Sequence, residues 1–169
     1  LLTLRQLHDA GYRDLRMAVN VSVVQFRDPN FIHSVEQALI ASGIEARWLE
    51  LEITESVAMM ETNSVGQALA RLRALGVAIA IDDFGTGHSS MAQLRDIPFD
   101  ELKIDQGFVH RAWTDTTLRA IYDASLSMAK QLGMMTVAEG VEDQNDWELL
   151  RQTGCDLAQG NFVSKPLQA

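Results

Sequence analysis

Short strand-like runs alternate with longer helix-like stretches along this chain, and this alternation constrains its fold more than any other feature. Six runs have the pattern of β-strands: 16–22, 49–54, 77–81, 101–104, 135–139 and 156–159. Apolar residues recur at helical spacing over 1–10, 30–41, 63–75, 89–96, 116–132 and 143–153. The repeated alternation predicts right-handed crossovers and a parallel sheet in an α/β fold.

Two architectures satisfy this alternation, an open doubly wound sheet and a (β/α)₈ barrel. A complete barrel has eight strands and typically about 250 residues, so 169 residues with six strands would be a barrel without its first two units. The sequence begins inside an apolar periodic pattern at Leu1, which indicates a piece of a longer protein. We interpret residues 1–169 as one partial domain.

The charge balance restricts the ligand classes. Lysine and arginine number 14 against 23 acidic residues, a net charge of −9, which argues against binding to a nucleic-acid backbone such as DNA. An anionic substrate would require a cation between it and the carboxylates.

Cysteine content is also informative. Cys155 is the single cysteine, which excludes an internal disulfide and a cysteine-rich zinc site and fits a reducing compartment. Apolar runs stay far below the roughly 20 residues of a membrane span.

Polar side chains stand at or near the end of every predicted strand: Asn20, Glu52 and Glu55, Asp82 and Asp83, Lys103, Glu139 and Glu142, and Gln159. In a parallel barrel these ends meet at one mouth, where active sites are assembled. Any one of these residues could be an ordinary helix cap. Their occurrence on all six strands favours a functional site. By contrast, we interpret His8, His33 and His110 as surface residues.

The residue types narrow the chemistry of this predicted site. Asn20, Glu52, Asp82, Asp83 and Glu139 offer only oxygen ligands, which suit Mg²⁺ or Mn²⁺. Adjacent aspartates can let one carboxylate bridge two metals, the arrangement that supports in-line cleavage of a phosphodiester by an activated water. Lys103 could orient that water, or it could be a salt-bridge partner for buried carboxylates. The Gly85–Thr86–Gly87–His88 loop alone is weak evidence for phosphate binding.

Six motifs in order resemble one known family. They are Asn20-Val21-Ser22, Glu52-Ile53-Thr54-Glu55, Asp82-Asp83-Phe84-Gly85-Thr86-Gly87, Leu102-Lys103-Ile104-Asp105, Ala138-Glu139-Gly140-Val141-Glu142 and Gln159-Gly160. Together they closely resemble the EAL-domain phosphodiesterases, which open the bacterial messenger cyclic di-GMP to a linear dinucleotide. The resemblance implies a TIM-like (β/α)₈ barrel, N-terminally incomplete, with about six strand–helix units in this chain.

The resemblance also implies a role for each residue and two divalent ions, Mg²⁺ or Mn²⁺. Asn20, Glu52 and Asp82 resemble the ligands of a first metal, and Asp82, Asp83 and Glu139 those of a second. Lys103 resembles the lysine that holds the attacking water, and Gln159 the glutamine of the substrate-side network. Glu55 resembles the residue that anchors the loop after the aspartates, and Glu142 resembles a support of the metal site.

The family's Glu-Ala-Leu signature and the arginine after it are absent from this sequence. They would supply one metal ligand and one phosphate contact, so we expect the isolated 169-residue chain to be nearly inactive. The alternative function is a catalytically inactive cyclic di-GMP receptor or protein-interaction module. The resemblance further implies a homodimer through the barrel, an upstream sensory or diguanylate cyclase domain, and a cytoplasmic site of action, with the parent protein tethered to a membrane or free.

Overall fold

A computed structural model describes residues 1–58, 63–86, 97 and 99–166. The strands of its sheet are β1 (Met17–Val21), β2 (Leu49–Thr54), β3 (Ala78–Phe84), β4 (Glu101–Ile104), β5 (Met135–Ala138) and β6 (Leu157–Ala158). All are parallel, and their order in the sheet is their order in the chain. The sheet curls into a half-barrel, which confirms the predicted α/β fold of about six units.

Helices connect the strands and pack against the outer face of the sheet. In chain order they are α1 (Leu2–Asp9), α2 (Val23–Phe26), α3 (Phe31–Ser42), α4 (Glu55–Ala58), α5 (Asn63–Ala74), α6 (Gln106–Val109), α7 (Thr116–Leu132) and α8 (Gln144–Thr153), with a 3₁₀ turn at Ala46–Trp48. Apolar periodicity predicts the long helices but not α2, α4 and α6, which have four residues each. The predicted helix at 89–96 lies outside the described residues.

Local capping explains why the ends of α7 were predictable. Asp115 accepts hydrogen bonds from the backbone N–H groups of Thr117 and Leu118, and Gly133 ends the helix in the left-handed conformation. These are the usual start and stop signals of a helix. The side of α7 that is buried, however, carries Tyr122, Ser125 and Ala129. Leu132, the last residue of the predicted 116–132 helix, is 44% exposed.

The two faces of the sheet have different chemistry. Apolar side chains on the outer face form the core with the helices, and they include Leu51, Ile53, Ile79, Ile81, Leu102 and Ile104. Because side chains alternate along a strand, the intervening residues point into the half-barrel. On β2 and β4 these are buried charged residues: Glu50, Glu52, Glu101 and Lys103. The apolar core therefore lies outside the sheet, and charged side chains line the inside of the half-barrel.

Among the described helices, none is long and apolar enough to cross a bilayer.

Candidate metal centre

Lys103 lies at the centre of a cluster of carboxylates at the C-terminal end of the sheet. Its Nζ atom is 2.9 Å from Glu52 Oε1, 3.3 Å from Asp82 Oδ1 and 2.7 Å from Glu139 Oε1. Its side chain is only 4% exposed. Four neighbouring strands, β2 to β5, thus bring their predicted site residues to one point, with Glu139 immediately after β5. The salt bridges that the sequence left as an alternative for Lys103 are present.

Burial and neighbouring charges both shift the pKa values of these groups. Burial disfavours the charged form of Lys103, but hydrogen bonds to Glu139 and Glu52 outweigh it, and the pKa of Lys103 is raised. Lys103 is therefore a cation at neutral pH and acts as a hydrogen-bond donor. Burial raises the pKa of Glu139 although Lys103 lowers it. Burial, followed by the charge of Asp82, also raises the pKa of Asp83.

An irregularity in β3 brings its two consecutive aspartates to the same place. Side chains of successive strand residues normally point to opposite faces. The register between β3 and β4 shifts between Ile81 and Phe84, and Asp83 has a left-handed φ of 55°. The Asp83 N–H donates to Asp82 Oδ1 at 3.0 Å. As a result, one carboxylate oxygen from each of Asp82, Asp83 and Glu139 lies within 4.8 Å of the others.

This donor set fits a divalent cation. Its atoms are carboxylate oxygens, which are the ligands that Mg²⁺ and Mn²⁺ prefer. The left-handed Asp83 is a strained conformation for a residue with a Cβ, and such strain is concentrated at functional sites. Asn20 of β1 pairs in register with Glu52 of β2, so the two side chains extend from the same face of the sheet. Asn20 is thereby the residue of β1 next to Glu52 on the inner face.

The remaining predicted residues lie around this cluster with different contacts. Glu55 is 2% exposed, and its Oε2 accepts a hydrogen bond from the Gly85 N–H at 3.0 Å, at the start of the loop after the aspartates. Residues 87–96, which include His88, lie outside the described residues. The backbone of Gln159 is held beside the segment after β5, because its carbonyl oxygen accepts a hydrogen bond from the Val141 N–H at 3.1 Å.

Glu142 faces a histidine that the sequence analysis had interpreted as a surface residue. Glu142 Oε2 lies 3.8 Å from His110 Nε2, and His110 Nδ1 lies 3.0 Å from Oδ2 of the fully buried Asp146. A position at a strand end predicted the other site residues, but neither His110 nor Asp146 has such a position.

A second feature that the sequence did not predict lies deeper in the half-barrel, where Glu50 and Glu101 are both buried. Burial, followed by the charge of Glu50, raises the pKa of Glu101 to about 7.

Comparison with known proteins identifies the family. The EAL domain family model matches residues 1–166. The chain belongs to the EAL domain family. It is 40% identical over 161 residues to the bifunctional diguanylate cyclase/cyclic di-GMP phosphodiesterase MucR of Pseudomonas aeruginosa, covering 95% of this chain and 24% of that protein. It is 42% identical over 164 residues to the cyclic di-GMP phosphodiesterase NbdA of the same organism, covering 97% and 21%.

Solved structures agree with this membership in the EAL domain family. The PaMucR phosphodiesterase in complex with c-di-GMP superposes with a TM-score of 0.95 at 39% identity, covering 99% of this chain and 68% of that chain. BlrP1 of Klebsiella pneumoniae, in a complex with manganese and the cyclic dinucleotide, superposes with a TM-score of 0.83 at 27% identity, covering 94% and 41%. This EAL chain thus spans about a quarter or less of the curated relatives' length.

Proposed function

We propose that this chain carries most of the catalytic centre of a phosphodiesterase that hydrolyses cyclic di-GMP to the linear dinucleotide with the help of two divalent metal ions. The observation that carries the proposal is the convergence of Asp82, Asp83 and Glu139 beside the buried Lys103. Relatives named as cyclic di-GMP phosphodiesterases, and related structures with the cyclic dinucleotide and manganese, support it.

The ligand assignment is part of the proposal and is the one that the resemblance to the EAL family implies. Asn20, Glu52 and Asp82 would hold one Mg²⁺ or Mn²⁺, and Asp82, Asp83 and Glu139 would hold the other. When bound, the two cations neutralise the phosphate and make a water molecule more acidic. Asp82 would contact both ions, since its carboxylate has two oxygens. It lies in the group with Asp83 and Glu139 and within salt-bridge distance of Lys103.

The protein's own side chains would then order the nucleophile. The reaction forms a bond between the water oxygen and phosphorus and breaks the bond between phosphorus and the ribose 3′ oxygen, in line. Lys103 lies against Glu52, Asp82 and Glu139, so its ammonium would donate hydrogen bonds to the water or to charge that develops on the phosphate. Asp82 and Glu139 are the carboxylates beside Lys103, and they would relay the proton released by the water toward the departing 3′ oxygen, which leaves as a hydroxyl.

Gln159, Glu55 and Glu142 would support this centre without holding metal. The hydrogen bond from Gly85 to Glu55 fixes the first residues of the loop that follows the aspartates. Gln159 extends from the end of β6 and would contact the substrate, and Glu142 would help to position the segment that carries Glu139. In the full-length protein we propose a homodimer and attached sensory or diguanylate cyclase domains, as the multidomain names of its relatives suggest.

The direct test measures cyclic di-GMP hydrolysis by the full-length protein with Mn²⁺, with chromatography of the linear product and binding calorimetry on the same sample. We expect turnover with Mn²⁺ and none after EDTA treatment. Binding without turnover would contradict the enzymatic function and favour a receptor. Absence of both would contradict any role of this site toward cyclic di-GMP.

A further inference from the structure

The Asp146 carboxylate, in the first turn of α8, holds two loops of the half-barrel together. The residue is completely buried. Its Oδ2 accepts from His110 Nδ1 at 3.0 Å and from the Glu142 N–H at 3.1 Å, and its Oδ1 accepts from the Arg111 N–H at 3.2 Å. Because a carboxylate only accepts hydrogen bonds, this contact requires the proton of His110 to be on Nδ1.

The two loops that meet at Asp146 follow β4 and β5, the strands that place Lys103 and Glu139. His110 and Arg111 come directly after α6, and Arg111 adopts a left-handed φ of 65°. A residue with a Cβ rarely adopts this conformation unless neighbouring contacts hold it. The hydrogen bond from the Arg111 N–H to Asp146 is such a contact. Glu142 lies only three residues after Glu139.

The segment 139–142 is therefore fixed at both ends. At its start, Lys103 contacts the Glu139 carboxylate at 2.7 Å, and the Glu139 N–H donates to the Ile104 carbonyl at 3.1 Å. At its end, Asp146 accepts from the Glu142 N–H. Between them, a Cβ on Gly140 would collide with the Gln106 side chain, so the two loops pack with no space between them.

His110, Asp143 and Asp146 offer one nitrogen and two oxygens within 4.8 Å, but both carboxylates already accept hydrogen bonds from protein donors. Asp146 accepts three hydrogen bonds from protein donors. Asp143 Oδ1 caps α8 by accepting from the Asn145 and Asp146 N–H groups at 2.8 and 2.9 Å. These contacts describe a structural support and not a second metal site.

We propose that Asp146, assisted by His110, is a positioning residue for Glu139. By holding Glu142 and the turn at Arg111, it fixes the distance of the Glu139 carboxylate from Asp82 and Asp83, and so the affinity of the centre for a divalent cation. The inference rests on the proposed function for its catalytic consequence, but metal affinity tests it independently. Groups that orient a metal ligand typically contribute about 10–100-fold to metal affinity.

The experiment compares Asp146→Ala, Asp146→Asn and His110→Ala in the full-length protein. Mn²⁺ affinity is measured by calorimetry, and hydrogen exchange is measured over peptides that cover 139–142. Glu148→Gln is the matched control, because it removes one negative charge from the same helix at a partly exposed site. We expect Asp146→Ala to weaken Mn²⁺ binding by at least about 10-fold and to speed exchange over 139–142. Asp146→Asn keeps one acceptor oxygen and should lie between Asp146→Ala and the control.

A role in folding alone would give a different result. If exchange over 139–142 becomes faster while Mn²⁺ affinity stays within about twofold of Glu148→Gln, the proposal is overturned. If Asp146→Ala does not fold, normal Mn²⁺ affinity in both Asp146→Asn and His110→Ala overturns it. Failure of the unaltered protein to bind Mn²⁺ also overturns it. A protein that binds Mn²⁺ but does not hydrolyse cyclic di-GMP contradicts the proposed function, while the affinity series still decides the role of Asp146.

Discussion

Lys103 Nζ and Glu139 Oε1 lie 2.7 Å apart and join the C-terminal ends of two adjacent strands, β4 and β5. Both groups are removed from bulk water, where an unpaired charge is costly. Glu139 also belongs to the carboxylate group that fits a divalent cation. Loss of either partner would therefore leave an uncompensated charge in the fold, and the same pair defines the geometry of the candidate centre.

Replacing Lys103 by methionine should destabilise the protein in the absence of metal, because Glu52, Asp82 and Glu139 would lose the cation between them. We expect the free energy of unfolding in EDTA to fall by about 3 kcal/mol. Added Mn²⁺ should restore part of this loss by supplying positive charge. Denaturant unfolding with EDTA and with Mn²⁺ measures both effects. Lys130→Met, at an exposed lysine of α7, is the control, and equal stability of the two variants would contradict the expectation.

In the full-length protein, Asp83→Asn should reduce cyclic di-GMP turnover on the order of 100-fold or more, because it removes a charged ligand from the proposed second metal. Asp123→Asn also removes one aspartate charge, from an exposed pair with Arg119 on α7, and should leave turnover unchanged. Initial rates at saturating Mn²⁺ compare the two variants. Unchanged turnover in Asp83→Asn would remove Asp83 from the metal site.

Glu101→Gln should stabilise the protein above neutral pH. Burial and the nearby Glu50 raise the pKa of Glu101 from its ordinary 4.5 to about 7. The folded state therefore binds more protons than the unfolded state between these values, and the free energy of unfolding falls as pH rises through this window. At pH 8 the substitution should add on the order of 2 kcal/mol, with little effect near pH 4.

Denaturant unfolding at several pH values tests this expectation. Glu148→Gln is the control. It is the same substitution at a partly exposed position on the surface of α8, outside the half-barrel interior. A stability difference between Glu101→Gln and the original protein that does not change with pH would show that the two states bind protons equally at Glu101.

Gly160→Ala should destabilise the protein by about 2 kcal/mol or more because the new Cβ would collide with the backbone of Val141. Backbone atoms cannot move aside as a flexible side chain can. Gly66→Ala is the matched control, since a Cβ there meets nothing within 4 Å and the position lies in the interior of α5. Alanine should stabilise α5 by about 0.5–1 kcal/mol. Thermal unfolding of both variants measures the difference, and equal melting temperatures would contradict the collision.

The helix and strand limits were predictable where the residues that determine them lie close together in the sequence. The limits of β2, β4 and α7 agree with the sequence prediction, because period, caps and a terminating glycine occur within a few residues. The short α2, by contrast, has a capping box at Ser22 but too few residues to show a period. Strand β3 extends through Asp82 and Asp83 to Phe84, beyond the apolar run that predicted it, because the aspartates face the inside of the half-barrel.

The site residues that lie at the C-terminal ends of strands were predictable from the sequence. Convergence of Glu52, Asp82, Lys103 and Glu139 follows from parallel topology, which brings the ends of neighbouring strands together. The left-handed Asp83 and the pairing of His110 with Asp146 depend on contacts between distant segments. His110 and Asp146 are 36 residues apart, and no local pattern relates them.

The agreement between strand order and chain order bears on how the protein is made. Each new strand pairs with the one that precedes it in the sequence, so no strand has to be inserted between two partners that are already joined. The sheet can therefore lengthen at one side as the polypeptide leaves the ribosome, each unit finding its docking edge already formed. Lys103 is synthesised after Glu52 and Asp82 and before Glu139, so the buried ammonium can compensate the early carboxylates during synthesis, before the last one arrives.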